Sequence, residues 1–213
     1  MPLFFDGSTE ASRPARLPVR WRTHLWFHPF WPALSVLTAL GGLGAALFSR
    51  PPTAAWGAIL ASALFLLLHV DYHRTRCARG MLCPGLVIAE APRLIAVWTD
   101  LSFHPDSSHP AVKVLPVPRL PGAFPVGVGT RMAMVTLYRE ATLAGHWSDC
   151  VPAPACQANG LPAVHEELLR RIPETEWAAL EAAVLKLPRP FKGGLVRCVA
   201  APGRAFAQSQ RLA

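Results

Sequence analysis

Two long stretches without a formal charge, joined by a short proline turn, constrain this chain more than any other feature. Twenty-seven residues lie between Arg22 and Arg50 and twenty between Arg50 and Asp71, none of them Asp, Glu, Lys or Arg. The apolar core of the first is residues 30–48, FWPALSVLTALGGLGAALF. At about 1.5 Å of rise per residue it spans about 28 Å, close to the roughly 30 Å of a bilayer's hydrocarbon. The core of the second, residues 54–70 (AAWGAILASALFLLLHV), stands near the short end of the spanning range. Ser49-Arg50-Pro51-Pro52-Thr53 separates them, and its two prolines enforce a tight turn. The pattern predicts two antiparallel transmembrane helices, 30–48 and 54–70, within a membrane unit of residues 30–72.

Composition agrees. The chain of 213 residues is 52% hydrophobic and 16% charged, against about 25% charged for a soluble domain. A cleaved signal peptide would have a shorter apolar region and no second run following at once. The net charge is +8, and 18 of the 21 basic residues are Arg. Arg13, Arg16, Arg20 and Arg22 precede the first helix, Arg74, Arg76 and Arg79 follow the second, and the turn carries only Arg50. The positive-inside rule therefore predicts a two-pass protein of the bacterial inner (cytoplasmic) membrane with both termini cytoplasmic. Arg20, Trp21, Arg22, Trp26, Trp31, Tyr72, Arg74 and Arg76 are expected at the membrane interface, with anionic lipid headgroups as partners.

Small residues mark where helices approach closely. Gly41, Gly42, Ala45 and Ala46 in the first helix, and Gly57 and Ala61 in the second, fit a small-x3-small spacing. They pack the hairpin on itself or receive a helix of another subunit. Ser35 and Thr38 are expected to bond their own helix backbone.

The texture changes after residue 80. Runs at 83–89 and 93–99, split by Glu90-Ala91-Pro92, read as a β-hairpin, and 111–117 and 128–138 as further strands. The Pro-rich connector 116–129 excludes central-strand pairing there. Residues 164–172 and 177–187 read as helices, the second presenting Trp177, Leu180, Val184 and Leu187 on one face. The predicted organisation is a basic, aromatic N-terminal segment (1–29), the hairpin, a cytoplasmic α+β domain (80–187) and a basic, Pro-containing tail (188–213). The fold expected for the domain is a small antiparallel β-barrel or curled sheet, SH3-like or OB-like, with C-terminal helices.

Histidine is the residue type with most chemical potential. His69 and His73 are four apart on one helix face, and His24 and His28 repeat the spacing before the first helix. Across the hairpin the four form one candidate cluster for a metal, or for the iron or magnesium of a haem or pigment. The other reading of each is interfacial anchoring. His104 and His109 fall in a polar loop and are expected to be exposed. Cys77 with Cys83, and Cys150 with Cys156, share a C-x5-C spacing that fits zinc poorly; with Cys198 they read as free thiols, kept reduced in a cytoplasmic domain. No nucleophile elbow, phosphate loop or His-Glu-x-x-His occurs. His146, Asp149 and Cys150 are near one another only in sequence. No binding motif for nucleic acid is present.

The strings Leu82-Cys83-Pro84-Gly85-Leu86-Val87-Ile88, Val97-Trp98-Thr99-Asp100-Leu101, Val112-Lys113-Val114-Leu115-Pro116 and Pro188-Arg189-Pro190-Phe191-Lys192 carry a resemblance. Over about residues 80–195 the chain resembles an uncharacterised bacterial membrane family, a hairpin followed by a small domain of unknown function. The resemblance implies no activity and no site residues. The architecture also looks like that of accessory subunits in energy-transducing membrane complexes.

Three functions follow as expectations. The first is a non-catalytic accessory or scaffolding subunit partnering other membrane-protein subunits, without catalytic residues or a cofactor. The second is a metal- or tetrapyrrole-binding protein using His24, His28, His69 and His73. The third is a membrane-tethered enzyme or regulator whose site the sequence does not announce.

Overall fold

The structure, a computed structural model, describes residues 12–48, 53–102, 107–124, 127–143 and 145–198. The expected turn at 49–52, His104 and the last part of the tail (199–213) lie outside the described residues.

Two helices long and apolar enough to cross a membrane stand away from the rest: α2 (Phe30–Phe48) and α3 (Thr53–Arg79). A short helix, α1 (Trp21–Phe27), precedes them. The basic, aromatic segment expected over residues 1–29 therefore contains a helix that its sequence does not announce. Pro29 separates α1 from α2, because the residue before a proline is disfavoured in the helical region, and His28 is accordingly non-helical. The hairpin packs through small residues. Ser35, Ala39, Gly42 and Ala46, spaced four, three and four, turn inward on α2, and Ser62 is buried on α3. Leu37, Leu40, Leu60 and Leu67 stay exposed, which suits lipid. Ser35, Thr38 and Ser62 each donate to the carbonyl four residues back.

α3 runs nine residues past the expected end at residue 70. Its 27 residues rise about 40 Å, more than the hydrocarbon needs. The last turns therefore reach the domain. Gly80 makes the corner into the sheet: its N–H donates to the Arg76 carbonyl at 2.9 Å, and a Cβ there would overlap that carbonyl and stand 2.6 Å from Val135.

The domain is a curled six-stranded antiparallel sheet: β1 (Met81–Glu90), β2 (Arg93–Asp100), β3 (Pro110–Pro116), β4 (Arg131–Ala141), β5 (Trp147–Pro154) and β6 (Gly194–Arg197), in the order β5-β4-β1-β2-β3-β6. It forms a half-barrel, with β5 and β6 as its two edges. The helices α4 (Ala155–Ala158), α5 (Pro162–Arg170) and α6 (Glu174–Leu185) follow β5. A register shift between Val87 and Ala89 of β1 adds curl. Both faces are buried. Ala96, Trp98, Val112, Val114, Ala133 and Val135 pack with Ile172, Trp177 and Leu180 of the helical layer. Cys83, Val87, Ile95, Val97, Met132 and Met134 line the opposite face, where Val117 and Phe124 of the Pro-rich connector pack against them.

β5 and β6 have no counterpart among the strands expected from the sequence. β5 carries Pro152 and Pro154, tolerated because an edge strand has one side without ladder bonds. β6 pairs Val112 with Val196 and Lys113 with Leu195, so part of the expected tail belongs to the sheet. The N-terminal segment is likewise structural. Residues 13–17 run along the sheet corner: Ala15 N–H donates to Gly80 O at 2.9 Å and Leu17 N–H to Cys77 O at 2.8 Å. Arg13 pairs with Glu176 of α6 at 2.6 Å.

His165 of α5 is buried between Phe124 and β4, with Nε2 facing the Ala133 N–H at 3.5 Å. Burial pushes its pKa from 6.5 down to about 4. The neutral form is the one that folds, so its contribution is complete above about pH 6.5 and is lost as pH falls toward 4. Between pH 7 and 4.5 the wild type should lose about 2–3 kcal/mol more stability than His165→Gln. Denaturant melts of both proteins at the two pH values measure this; parallel losses would refute it.

Candidate metal centre

The helix break at Pro29 turns α1 back so that His24 and the capping His28 face the domain-proximal part of α3, where His69 and His73 share a face. His24 lies with its ring centroid 4.1 Å from that of His73 and 6.1 Å from that of His69; His69 and His73 are 4.5 Å apart, and His24 and His28 4.8 Å. His28 stacks on His73 at 5.7 Å. One ring nitrogen from each of His24, His69 and His73 lies within 4.8 Å of the other two. The four-histidine cluster expected across the hairpin is thus assembled, with three members convergent and His28 beside them.

His24 and His73 are buried, His69 and His28 half-buried. Trp21 meets His24 edge-on at 5.6 Å and Tyr72 meets His73 at 4.9 Å. The Nε2 atoms of His24 and His69 are buried with no hydrogen-bond partner. A buried polar atom left unpaired costs about 1–3 kcal/mol. Burial, and then the neighbouring His28 and His69, hold the His24 pKa down at about 4, so its imidazole is neutral and offers a lone pair.

The local sequence explains the placement of α1. Arg20 N–H donates to Ala158 O at 2.9 Å, Asn159 Nδ2 donates to Pro18 O at 2.9 Å, and Asn159 Oδ1 accepts Leu161 N–H at 3.2 Å. Gly160 completes the seat, since even a methyl there would stand 3.2 Å from Thr23 Cγ2.

The other expected site residues fall as follows. Arg20, Arg22, Trp26, Trp31 and Arg74 are exposed, and Trp21 and Tyr72 half-buried. Arg76 is a correction: it is buried and donates to Val151 O at 2.7 Å, because α3 continues into the domain and carries it under β5. Gly42 and Ala46 lie on the packed face of α2, while Gly41, Ala45, Gly57 and Ala61 are exposed. His146 contacts Thr142 and the Trp147 carbonyl, Asp149 pairs with Lys113 at 2.6 Å, and Cys150 is buried, so these three do not converge. His109 is half-buried against His146, rather than exposed as expected, with ring centroids 4.6 Å apart. Cys77, Cys83, Cys150 and Cys156 are buried free thiols and Cys198 a half-buried one. Burial pushes Cys83 up to about 11 and Cys156 up to about 12, away from thiolate chemistry.

Fold and site together define a membrane protein: an apolar two-helix hairpin carried on a curled half-barrel domain, with a histidine cluster at their junction. The chain belongs to the DUF3239 family of proteins of unknown function, whose match spans residues 71–187. No curated protein matches it. A crystal structure described as a "putative membrane protein from Corynebacterium diphtheriae" is similar at 20% identity and a TM-score of 0.48, over 55% of this chain and 99% of that one. The family match begins at Asp71, so it takes in His73 and omits His24, His28 and His69.

Asn159 ties the N-terminal segment to α4. Its replacement by Ala strands the Pro18 carbonyl and the Leu161 N–H. Hydrogen exchange of residues 17–28 should then quicken roughly ten- to a hundredfold while β1 and β2 exchange as in the wild type. Unchanged exchange in 17–28 would mean that α1 is seated by other contacts.

Proposed function

We propose that this chain is a two-pass inner-membrane protein that holds a transition-metal ion between α1 and α3, with His24, His69 and His73 as ligands and His28 as a fourth or supporting imidazole. One observation carries the reading: three imidazoles from two separate segments converge at a buried point, and two of their nitrogens have no other partner. Metal–imidazole bonds of about 2.0–2.1 Å put tetrahedral ligands about 3.4 Å apart. Closing from 4.8 Å needs only small side-chain rotations. Imidazole ligands suit zinc, copper, iron and nickel. Among the described residues the cluster includes no carboxylate, and buried Arg76 follows His73 by one turn. That charge balance favours the lower charge of Cu(I) over a divalent ion. A bare ion also fits better than a tetrapyrrole, because a third imidazole occupies the space a flat macrocycle needs beside an axial pair. The arginines clustered at the domain end of the hairpin support a cytoplasmic domain.

The test is a titration of chelator-stripped protein in mild detergent with Cu(I), without oxygen, and with Zn(II). One ion per chain is expected, with His73→Ala weakening binding more than about 100-fold and His28→Ala by about tenfold. Failure of both ions to bind stoichiometrically, or wild-type affinity in His73→Ala, would overturn the reading.

A second reading is an accessory subunit of a larger membrane assembly. It is favoured by Gly41 and Gly57, which face outward with open space where a Cβ would stand, as a closely packed partner helix requires. Native purification followed by mass spectrometry should then return a stoichiometric membrane partner. A lone chain would count against it.

A further inference from the structure

A cleft of about 630 Å³ opens on the far side of α1 from the histidines. Arg22 and Trp26 stand roughly opposite His24 and His28 on the helix, so α1 divides the two sites. The other walls come from Arg93 at the start of β2 and from Arg119 and Leu120 in the connector after β3. Three guanidiniums from three distant segments therefore share one cleft. None of them forms an ion pair among the described residues, and Arg93 Nε is buried with no hydrogen-bond partner. Gathering like charges at a partly buried site costs free energy unless an anion joins them.

Two observations identify the anion. Guanidinium forks match the paired oxygens of phosphate. The cleft also lies at the foot of the membrane hairpin. Trp26, 78% exposed, and Phe27 line it, and Phe30, three residues on, begins α2. This is the depth at which headgroups meet acyl chains. A soluble phosphate ester offers the same oxygens but nothing to cover the aromatic wall.

We propose that this cleft binds the phosphate of an anionic phospholipid, with Arg93, Arg119 and Arg22 on the phosphate oxygens and Trp26 and Phe27 against the glycerol and first acyl carbons.

The full chain, purified and delipidated in mild detergent without added metal, is exposed to phosphatidylglycerol or phosphatidylcholine of the same acyl composition and read by native mass spectrometry. One retained phosphatidylglycerol per chain is expected, preferred about tenfold over phosphatidylcholine. Arg93→Gln with Arg119→Gln should abolish the preference, while Arg170→Gln with Arg197→Gln, an equal change of charge elsewhere, should keep it. Arg119→Gln alone, in an exposed loop, should lose about three- to fivefold and guards against misfolding of the double variant. Equal retention of both lipids, or equal losses in the two double variants, would overturn the proposal. Complete displacement of the lipid by millimolar inorganic phosphate would overturn it in favour of a soluble phosphate ester. The readout involves none of the histidines, so it succeeds or fails separately from metal binding.

Discussion

Everything in this molecule hangs on the corner at Gly80, where a membrane helix becomes the central strand of a sheet. α3 does not end at the bilayer surface; it delivers Arg76 and Cys77 into the domain and turns at a residue that only glycine can occupy. Residues 13–17 then hydrogen-bond along that corner, through Ala15 to Gly80 and Leu17 to Cys77. Hairpin and domain are therefore joined by backbone ladders as well as by one covalent connection. A single helix-to-strand link would leave the domain free to swivel. The added strap defines its orientation, and with it the position of α1.

That position creates both sites. α1 is a helix of seven residues, too short to be stable by itself. It is held at its start by Ala158 and Asn159 and limited at its end by Pro29. Once held, it presents imidazoles on one side and Arg22 with Trp26 on the other. Buried imidazole nitrogens without partners, and guanidiniums without an ion pair among the described residues, are both costly arrangements. Elsewhere, several charges are matched: Arg13 meets Glu176, Lys113 meets Asp149, and Arg131 meets Glu174 and Glu181. Among the described residues, four of the six buried side-chain atoms without a hydrogen-bond partner, on His24, His69, Arg76 and Arg93, lie near the junction of hairpin and domain, where the ligands are proposed.

The half-barrel supplies the rigid support. Its central strands are buried on both faces, so their side chains alternate between two cores: Met132 and Met134 face the connector side, Ala133 and Val135 the helical layer. The Pro-rich connector 116–124 packs Val117 and Phe124 into the second core and carries Arg119 to the cleft.

Local chemistry made much of this legible. The absence of charge over 27 and then 20 residues dictates the hairpin. Runs of β-branched and apolar residues dictate β1 to β3, and the three- and four-residue spacing of Trp177, Leu180 and Val184 dictates α6. The i, i+4 histidine pairs are also a local signal, but their meeting needed the break at Pro29 and the seat of α1 on Ala158 and Asn159. What stayed hidden depends on partners distant in sequence. β5 is a strand because β4 offers an edge that tolerates its prolines. Residues 194–197 form a strand because β3 has one side unpaired. Arg76 is buried because α3 outlasts the bilayer, and Arg22, Arg93 and Arg119 meet only through the curl of the sheet. Hydrophobic period and charge act over a few residues and can be read along the chain. Which surfaces then face each other is decided by packing, and that information exists only in three dimensions.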